Sequence, residues 1–348
     1  MKLIINGRFL TQQPSGVQNY AIGILTALQK IKLDFEIVMP YDGEIKPITN
    51  TKTIGWGKGF IWEQLFLPLY VKKKSSILIN LCNSAPLFIK NQIVTIHDLA
   101  FASDGGNWFK PGFRMWYNFL IPKICKRSML IFTVSQFSKN EIINNYGVSE
   151  QKIKIIPNGL PEITFNTVPA INGKYVLITG ANNPRKNAGW VVNNIDVIKQ
   201  KGYKLVVLSE GSAIFNEVEL KESEDVIFFK NVSLQVYHSL LKNAEALLFP
   251  SLYEGFGIPI LESLSLGIPV IASGLEVFKE SFGNLPIYFE LNNSESFAKA
   301  INEIQEKHIS EEMIVDLKNK FNFENSVKIL MRELEQLINE NSISPRLV

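Results

Sequence analysis

Two carboxylates eight positions apart frame the densest chemistry in this chain. They lie in Phe249-Pro250-Ser251-Leu252-Tyr253-Glu254-Gly255-Phe256-Gly257-Ile258-Pro259-Ile260-Leu261-Glu262, followed by Gly267-Ile268-Pro269-Val270. The apolar run ending at Phe249 reads as a strand, and a loop with two glycines follows it. Pro259 opens a helix, since proline favours the first turn. Gly267 stops that helix, and the next strand starts at once. Gly255 and Gly257 leave backbone N–H groups near a helix N-terminus, where a phosphate is well placed. Glu254 and Glu262 would hold hydroxyl groups on either side of that phosphate, both facing a cleft. A sugar on one side and a ribose on the other describe a nucleotide-sugar. An ordinary strand–turn–helix accounts for the glycines but not for both glutamates.

Three further constellations follow apolar runs. Gly180-Ala181-Asn182-Asn183-Pro184-Arg185-Lys186-Asn187 puts a guanidinium and an ammonium where a helix begins. An arginine fork beside a lysine makes a pyrophosphate clamp there, against the alternative of two solvated loop charges. His97-Asp98 ends Val94-Thr95-Ile96, and ligands in open α/β sheets sit beyond the carboxyl ends of strands. That pair could bind a polar substrate or move a proton, the alternative being a structural histidine at a strand end. Pro14-Ser15-Gly16-Val17 leads into a helix that runs to about Lys30. Its single glycine fits a phosphate approach and a plain tight turn equally well.

Elements of two periods must position these groups. Strands are expected at Lys2–Asn6, Phe35–Met39, Ile77–Leu81, Ile93–Ile96 and Leu130–Val134, then at Tyr175–Thr179, Lys204–Leu208, Val226–Phe229, Ala246–Phe249 and Val270–Ala272. They are apolar throughout, as parallel strands covered on both faces are. Strand–helix alternation along the whole length predicts α/β architecture, with two doubly wound Rossmann-like domains facing each other across a cleft. The series restarts after the turn-rich Ile156-Pro157-Asn158-Gly159-Leu160-Pro161. The expected division is therefore residues 1–165, residues 166–323, and a final helix within 324–348 packing across the boundary.

The 348 residues are 46% hydrophobic and 20% charged, which excludes disordered and fibrous classes. Net charge is +3, too small to point to nucleic acid. It is unevenly spread: residues 1–165 hold 19 Lys/Arg against 10 Asp/Glu, and residues 166–348 hold 17 against 23. The first part is expected to meet something anionic. Cys82 and Cys125 suit neither a metal spacing nor a disulfide scaffold, so a reducing cytosol is expected. The start has too short an apolar run for a signal peptide. The longest apolar stretch, Phe60 to Val71, is interrupted by Glu63, Gln64 and Pro68, too short for a membrane span. Between Trp108 and Arg127, a stripe of Phe113, Trp116, Tyr117, Leu120, Ile121 and Ile124 is flanked by Lys110, Arg114, Lys123, Lys126 and Arg127. Such a helix could lie on an anionic membrane face or fill its own domain's core.

On these residues the sequence resembles a retaining glycosyltransferase of family 4 with the GT-B fold. The spacing Glu254–Glu262 carries most of the likeness. Ser15-Gly16, His97-Asp98, Val134-Ser135-Gln136-Phe137-Ser138, Ile156-Pro157-Asn158-Gly159 and Pro184-Arg185-Lys186-Asn187 support it. Ile5-Asn6-Gly7-Arg8-Phe9 with Ser15-Gly16-Val17-Gln18 resembles bacterial mannosyl- and rhamnosyltransferases of O-antigen, capsule or exopolysaccharide assembly. The resemblance implies that Glu262 binds the donor ribose and that Glu254 sits beside the transferred sugar. It implies that Arg185 and Lys186 neutralise the pyrophosphate and that His97 contacts the sugar near its reacting carbon. Gly16, Tyr253, Gly255, Phe256 and Gly257 join the donor site. Val232, in the base-contacting stretch Phe229-Lys230-Asn231-Val232, joins it too. Lys230, Ala181 and Ser209 stand where family members often have glycine, arginine and glycine.

The implied donor is a GDP-, dTDP- or UDP-sugar, and the implied acceptor a glycan or an undecaprenyl-pyrophosphate-linked glycan. The protein is expected in the cytoplasm, at the inner face of the membrane. No Asp-x-Asp motif stands at a strand end, so no metal is expected. Two other classes are weighed. A dinucleotide-dependent oxidoreductase would need Gly-x-Gly-x-x-Gly after a strand, and the first domain offers only Gly16. A catalytically inactive accessory subunit would lack a charged site residue, and His97, Arg185, Lys186, Glu254 and Glu262 are all present.

Overall fold

In the computed structural model, residues 2–12, 15–31, 33–41, 50–74, 76–103, 108–167, 171–209, 215 and 223–343 are described. Pro14, Glu210 and Gly211 lie outside them.

The continuous apolar runs form two parallel sheets. One holds β1 (Leu3–Asn6), β2 (Phe35–Met39), β3 (Thr51–Thr53), β4 (Ile77–Asn80), β5 (Gln92–Thr95), β6 (Leu130–Thr133) and β7 (Ile153–Ile155), in the order β3-β2-β1-β4-β5-β6-β7. The other holds β8 (Lys174–Ile178), β9 (Tyr203–Ser209), β10 (Val226–Lys230), β11 (Ala246–Phe249), β12 (Val270–Ser273) and β13 (Ile287–Phe289), in the order β10-β9-β8-β11-β12-β13. Helices α1 (Gly16–Lys30), α2 (Gly59–Lys74), α3 (Pro111–Arg127) and α4 (Gln136–Tyr146) connect strands of the first sheet. Helices α5 (Ala188–Asn193), α6 (Ile195–Lys199), α7 (Leu234–Lys242), α8 (Ile258–Ser265) and α9 (Glu276–Phe282) connect those of the second. Helices α10 (Ser294–Asn302), α11 (Glu311–Lys320) and α12 (Phe323–Ile343) close the chain.

Both sheets reverse winding direction between two neighbouring strands: β1 and β4 in the first, β8 and β11 in the second. At such a switch point the crossovers leave on opposite faces, opening a crevice at the strands' carboxyl ends. The core of the second sheet is aromatic as well as aliphatic. Trp190 stacks on Phe289 at 5.8 Å, and Phe297 lies edge-on to Trp190 at 5.2 Å.

Two compact units result, and they divide the chain differently from the sequence expectation. One comprises Met1–Leu99, Phe119–Pro161 and Lys320–Val348; the other comprises Ala100–Asn118 and Glu162–Asn319. The expected helix at 324–348 is α12, and it belongs to the first unit. Phe323 fits a slot made by two glycines: a Cβ on Gly23 or Gly159 would come within 2.3 Å or 2.5 Å of Phe323. Ser326 Oγ donates to the Pro157 carbonyl at 2.8 Å, and Lys154 pairs with Glu333 at 2.9 Å.

Residues 100–118 join the second unit through rings. Phe109 stacks on Phe113 at 5.2 Å, Phe113 stacks on Tyr117 at 4.1 Å, and Phe109 meets Phe215 at 5.1 Å. Burial decides between the two readings of the α3 stripe. Leu120, Ile121 and Ile124 are fully buried and Tyr117 is buried, while Phe113 and Trp116 are half-buried. The stripe is core. Among the described residues, no helix is long and apolar enough to cross a membrane.

Candidate active site

The switch point of the second sheet brings three charged groups together. After β8, Asn183 accepts the Arg185 amide at 3.1 Å and opens a 3-10 turn, Pro184–Lys186. Asn187 ends the turn in the left-handed region at φ 55°. The turn throws Arg185 and Lys186 back over the sheet. The Lys186 stem lies 3.4 Å from where a Gly180 Cβ would be, and its ammonium sits 4.3 Å above the Phe249 ring. After β11 the neighbouring loop delivers Glu254. A backbone bond from the Leu252 amide to the Arg185 carbonyl, 2.8 Å long, ties the two loops together.

Lys186 Nζ donates to Glu254 Oε1 at 2.7 Å, and Arg185 Nη1 lies 3.5 Å from Glu254 Oε2. Burial alone would raise the Glu254 pKa. The Arg185 and Lys186 charges, with the Lys186 hydrogen bond, outweigh it and hold the carboxyl below its ordinary value. Glu254 is therefore an ionised counter-ion to two cations, and the triad carries a net single positive charge. The sequence reading placed the cations on a phosphate and Glu254 on a sugar. The structure joins all three in one ion cluster.

Gly257 caps α8 at φ +111°, a conformation that strains any side chain. A Cβ there would also meet Phe278 at 3.1 Å. Phe256 is buried edge-on against Phe282 at 5.6 Å, Gly255 is buried beside it, and Tyr253 is buried with its ring 6.2 Å from Trp108.

One turn into α8, Glu262 is 3% exposed and already engaged. Tyr237 Oη donates to its Oε2 at 2.8 Å, and His238 Nε2 lies 3.6 Å from its Oε1. Both partners come from α7, whose first turn is capped by Ser233 accepting the Val236 amide at 3.3 Å. His238 Nδ1 faces the Thr164 carbonyl at 3.1 Å, which anchors the ring's far side. Val232 is half-buried between Asn231, at φ 52°, and that cap. The reading of the sequence missed Tyr237 and His238. Their only sequence signal was a polar pair on the apolar face of an amphipathic helix.

His97 and Gly16 belong to the first unit. His97 follows β5 and is 5% exposed. Its Nε2 lies 2.9 Å from the Leu81 carbonyl oxygen, an acceptor only, so that nitrogen carries the proton. The ring stands edge-on to Tyr20 at 4.8 Å, and the His97 amide donates to Asn83 Oδ1 at 2.6 Å. Burial pushes its pKa below 6.5, against smaller opposing effects from Leu81 and Asp98. Gly16 is exposed at the start of α1, where Ser15 bonds Gln18 rather than a backbone amide.

A neutral buried imidazole has a stability signature. As pH falls below 6.5, the unfolded chain binds a proton that folded His97 resists. Its contribution is complete above that pH and falls by at most about 1.4 kcal/mol per unit below it. Thermal unfolding at pH 7.5 and 5.5 checks this: His97→Gln is expected to lose less stability on acidification than the parent. Equal losses would refute it.

Comparisons with known proteins agree with this architecture. Residues 76–162 match the family model described as Glycosyltransferase Family 4, and residues 173–307 match that described as Glycosyl transferases group 1. The O-antigen chain mannosyltransferase RfbU of Salmonella typhimurium is 26% identical over 325 residues, covering 87% of this chain and 91% of that protein. The structure of sucrose-phosphate synthase from Thermosynechococcus elongatus superposes with a TM-score of 0.71 at 16% identity, over 97% of this chain and 99% of that one. Anabaena Alr3699/HepE in complex with UDP and glucose gives 0.68 at 15% identity, over 96% and 99%. The two parallel sheets are thus those of a GT-B glycosyltransferase. The chain carries a glycosyltransferase family 4 domain followed by a glycosyl transferases group 1 domain, and it is a glycosyltransferase.

Proposed function

We propose that this enzyme transfers a hexose of the mannose, rhamnose or glucose type from a nucleotide-sugar to a glycan or lipid-linked glycan, with retention of anomeric configuration, in surface-polysaccharide synthesis. The observation that carries this reading is the Arg185–Lys186–Glu254 cluster at the carboxyl ends of β8 and β11. The name of the Salmonella relative supports mannose and O-antigen.

A donor's diphosphate is a leaving group that gains negative charge as the bond to the anomeric carbon breaks. Lys186 and Arg185 meet that charge without reorganising, because the turn and the Phe249 ring already hold them. Glu254 spends both oxygens on the two cations, so it is not the nucleophile. The acceptor hydroxyl attacks from the face the diphosphate leaves, and its proton passes to the departing phosphate oxygen. Glu262, oriented by Tyr237, holds the ribose hydroxyls. His97, as a neutral imidazole, contacts the sugar.

Nucleotide release from GDP-mannose, UDP-glucose and dTDP-rhamnose, each with and without a glycan acceptor, tests the reading. One donor is expected to turn over with acceptor present, giving an axially linked product with an equatorial anomeric proton signal from an axially linked donor. Turnover is expected to persist in excess chelator. No turnover of any donor, or inversion at the anomeric carbon, would overturn it.

The roles of the two glutamates separate by calorimetry. Glu262→Ala removes a charged acceptor for ribose and is expected to weaken free nucleoside diphosphate by about 10–150-fold. Tyr237→Phe should weaken it less, by letting the carboxylate swing. If Glu254→Ala weakens free nucleotide more than Glu262→Ala does, the assignments exchange.

A further inference from the structure

Helix α7 buries a histidine whose two ring nitrogens face different parts of the second unit. His238 is fully buried. Its Nδ1 lies 3.3 Å from the Thr164 amide nitrogen and 3.1 Å from the Thr164 carbonyl oxygen. Its Nε2 is buried and makes no hydrogen bond among the described residues. The acid beside that nitrogen is Glu262, with Oε1 at 3.6 Å. A buried polar atom without a partner is costly, so its presence calls for a reason.

The backbone that holds Nδ1 is itself fastened to α7. Residues 162–167 open the long stretch of the second unit and form neither helix nor strand. Three consecutive residues of this strap meet the helix. Thr164 sits on His238, the Phe165 ring lies 4.6 Å from Lys242 Nζ, and the Asn166 amide donates to Ser239 Oγ at 2.8 Å. Lys242 stands one turn on from both His238 and Ser239, so the three contacts share one side of α7. Ser239 Oγ also donates to the Gln235 carbonyl at 2.9 Å, which fixes its direction.

The strap and the carboxylate together select the state of the ring. An amide only donates, and a carboxylate only accepts. A neutral ring with its proton on Nε2 accepts the Thr164 amide at Nδ1 and turns an N–H towards Glu262. An imidazolium also turns an N–H there. Only the remaining form, protonated on Nδ1 alone, sets a lone pair against a carboxylate. Oε1 needs to approach by about 0.7 Å to reach an ordinary N–H···O length. Tyr237, the preceding residue of α7, already donates to Oε2 at 2.8 Å. Neighbouring residues of one helix thus address one carboxylate oxygen each. We infer that His238 is a positioning residue: its Nε2–H, aimed by the strap, fixes Glu262 so that the carboxylate's remaining lone pairs meet the hydroxyls of a ribose. The inference deepens the reading of Glu262 as the ribose carboxylate and rests on it. His238 itself touches no substrate.

Calorimetry on the full chain tests it, with the tighter-binding of GDP and UDP compared against its counterpart lacking both ribose hydroxyls. The parent is expected to prefer the hydroxylated nucleotide by about 10–150-fold, the range for hydrogen bonds to a charged group. His238→Ala should cut that preference by about 3–10-fold and leave the affinity for the dideoxy nucleotide within about two-fold of the parent's. Two conservative variants divide the ring. The amide nitrogen of Gln stands in for Nε2, and that of Asn for Nδ1. His238→Gln should therefore restore most of the preference. His238→Asn should keep the strap and melt closer to the parent, yet show the preference of His238→Ala. Equal weakening of both nucleotides in His238→Ala would mean a structural role only and would overturn the inference. Restoration by Asn but not by Gln would overturn it too, leaving His238 as an anchor for the strap. Glu262→Ala separates the two readings. If it erases the preference while His238→Ala keeps it in full, the positioning role fails alone. If Glu262→Ala keeps the preference, the ribose reading fails and the positioning role with it.

Discussion

Lys186→Ala is expected to lower turnover by about 10²–10³-fold, the loss that follows removal of one pre-positioned charge stabiliser. The expectation rests on how the residue is held. Its stem lies over Gly180, its ammonium over the Phe249 ring at 4.3 Å, and its proton points to Glu254 Oε1 at 2.7 Å. The entropy of ordering a long side chain is thus met in folding, before any donor arrives. Lys186→Arg should not restore the rate, because a planar fork cannot follow the same path between Gly180 and Phe249.

The companion variant separates charge from scaffold. Glu254→Gln removes the internal counter-ion and leaves two half-buried cations facing the diphosphate. It is expected to bind free nucleoside diphosphate several-fold more tightly while turning over more slowly, because product then leaves against a stronger field. Steady-state rates with calorimetric affinities check both. A near-normal rate for Lys186→Ala, in a protein that melts like the parent, would reduce the cluster to a structural ion pair.

The charged loops were legible in the sequence because each follows a strand end and each is local. Pro184-Arg185-Lys186 and Glu254 through Glu262 contain their own turns, caps and glycines. What could not be read was who meets whom. Glu254 and Lys186 are 68 positions apart, and only the adjacency of β8 and β11 joins them. Tyr237 and His238 read as core positions of an amphipathic helix, and burial there is correct. That a hydroxyl at position 237 reaches a carboxylate at 262 depends on how α7 and α8 pack beside β11.

The strands show the same limit from another side. The interior strands are apolar on both faces and were visible as continuous runs. Three edge strands were not foreseen: β3 (Thr-Lys-Thr), β7 (Ile-Lys-Ile) and β13 (Ile-Tyr-Phe) are three residues each. An edge strand has one neighbour and an open side, so it needs neither length nor a full apolar run. Helix faces were ambiguous for a related reason. Both α2 and α3 carry apolar residues around much of their circumference, and periodicity does not say which stripe the sheet takes. In α3 the stripe at 117–124 is buried. In α2 the sheet takes Trp62, Leu67 and Val71, leaving Ile61, Leu65 and Leu69 outside.

Glu63→Ala is expected to destabilise the first unit by about 3–5 kcal/mol, the range for removing one partner of a buried ion pair. Glu63 is fully buried and Arg8 is 4% exposed, at the switch point between β1 and β4. Arg8 Nε lies 3.2 Å from Glu63 Oε1, which also accepts from Asn6 Nδ2 at 2.8 Å and Ser84 Oγ at 2.9 Å. Asn6 donates in turn to Asn80 at 2.9 Å, so one carboxylate ties the ends of both strands to α2. The Arg8 guanidinium also lies 4.4 Å from the Phe60 ring. Truncating Glu63 strands that guanidinium in a site with no other acid among the residues named. At about 2–4 °C per kcal/mol for a unit of this size, the midpoint should fall by roughly 6–20 °C. Arg8→Met combined with Glu63→Leu removes both charges and should recover much of the loss, since apolar replacement of a buried pair is often neutral. The comparison decides what the pair contributes. A double variant as unstable as Glu63→Ala would mean that the hydrogen bonds to Asn6 and Ser84, rather than the uncompensated charge, hold the strand ends. A single variant melting within a degree or two of the parent would mean that water reaches Arg8, and that the network does not organise this end of the sheet.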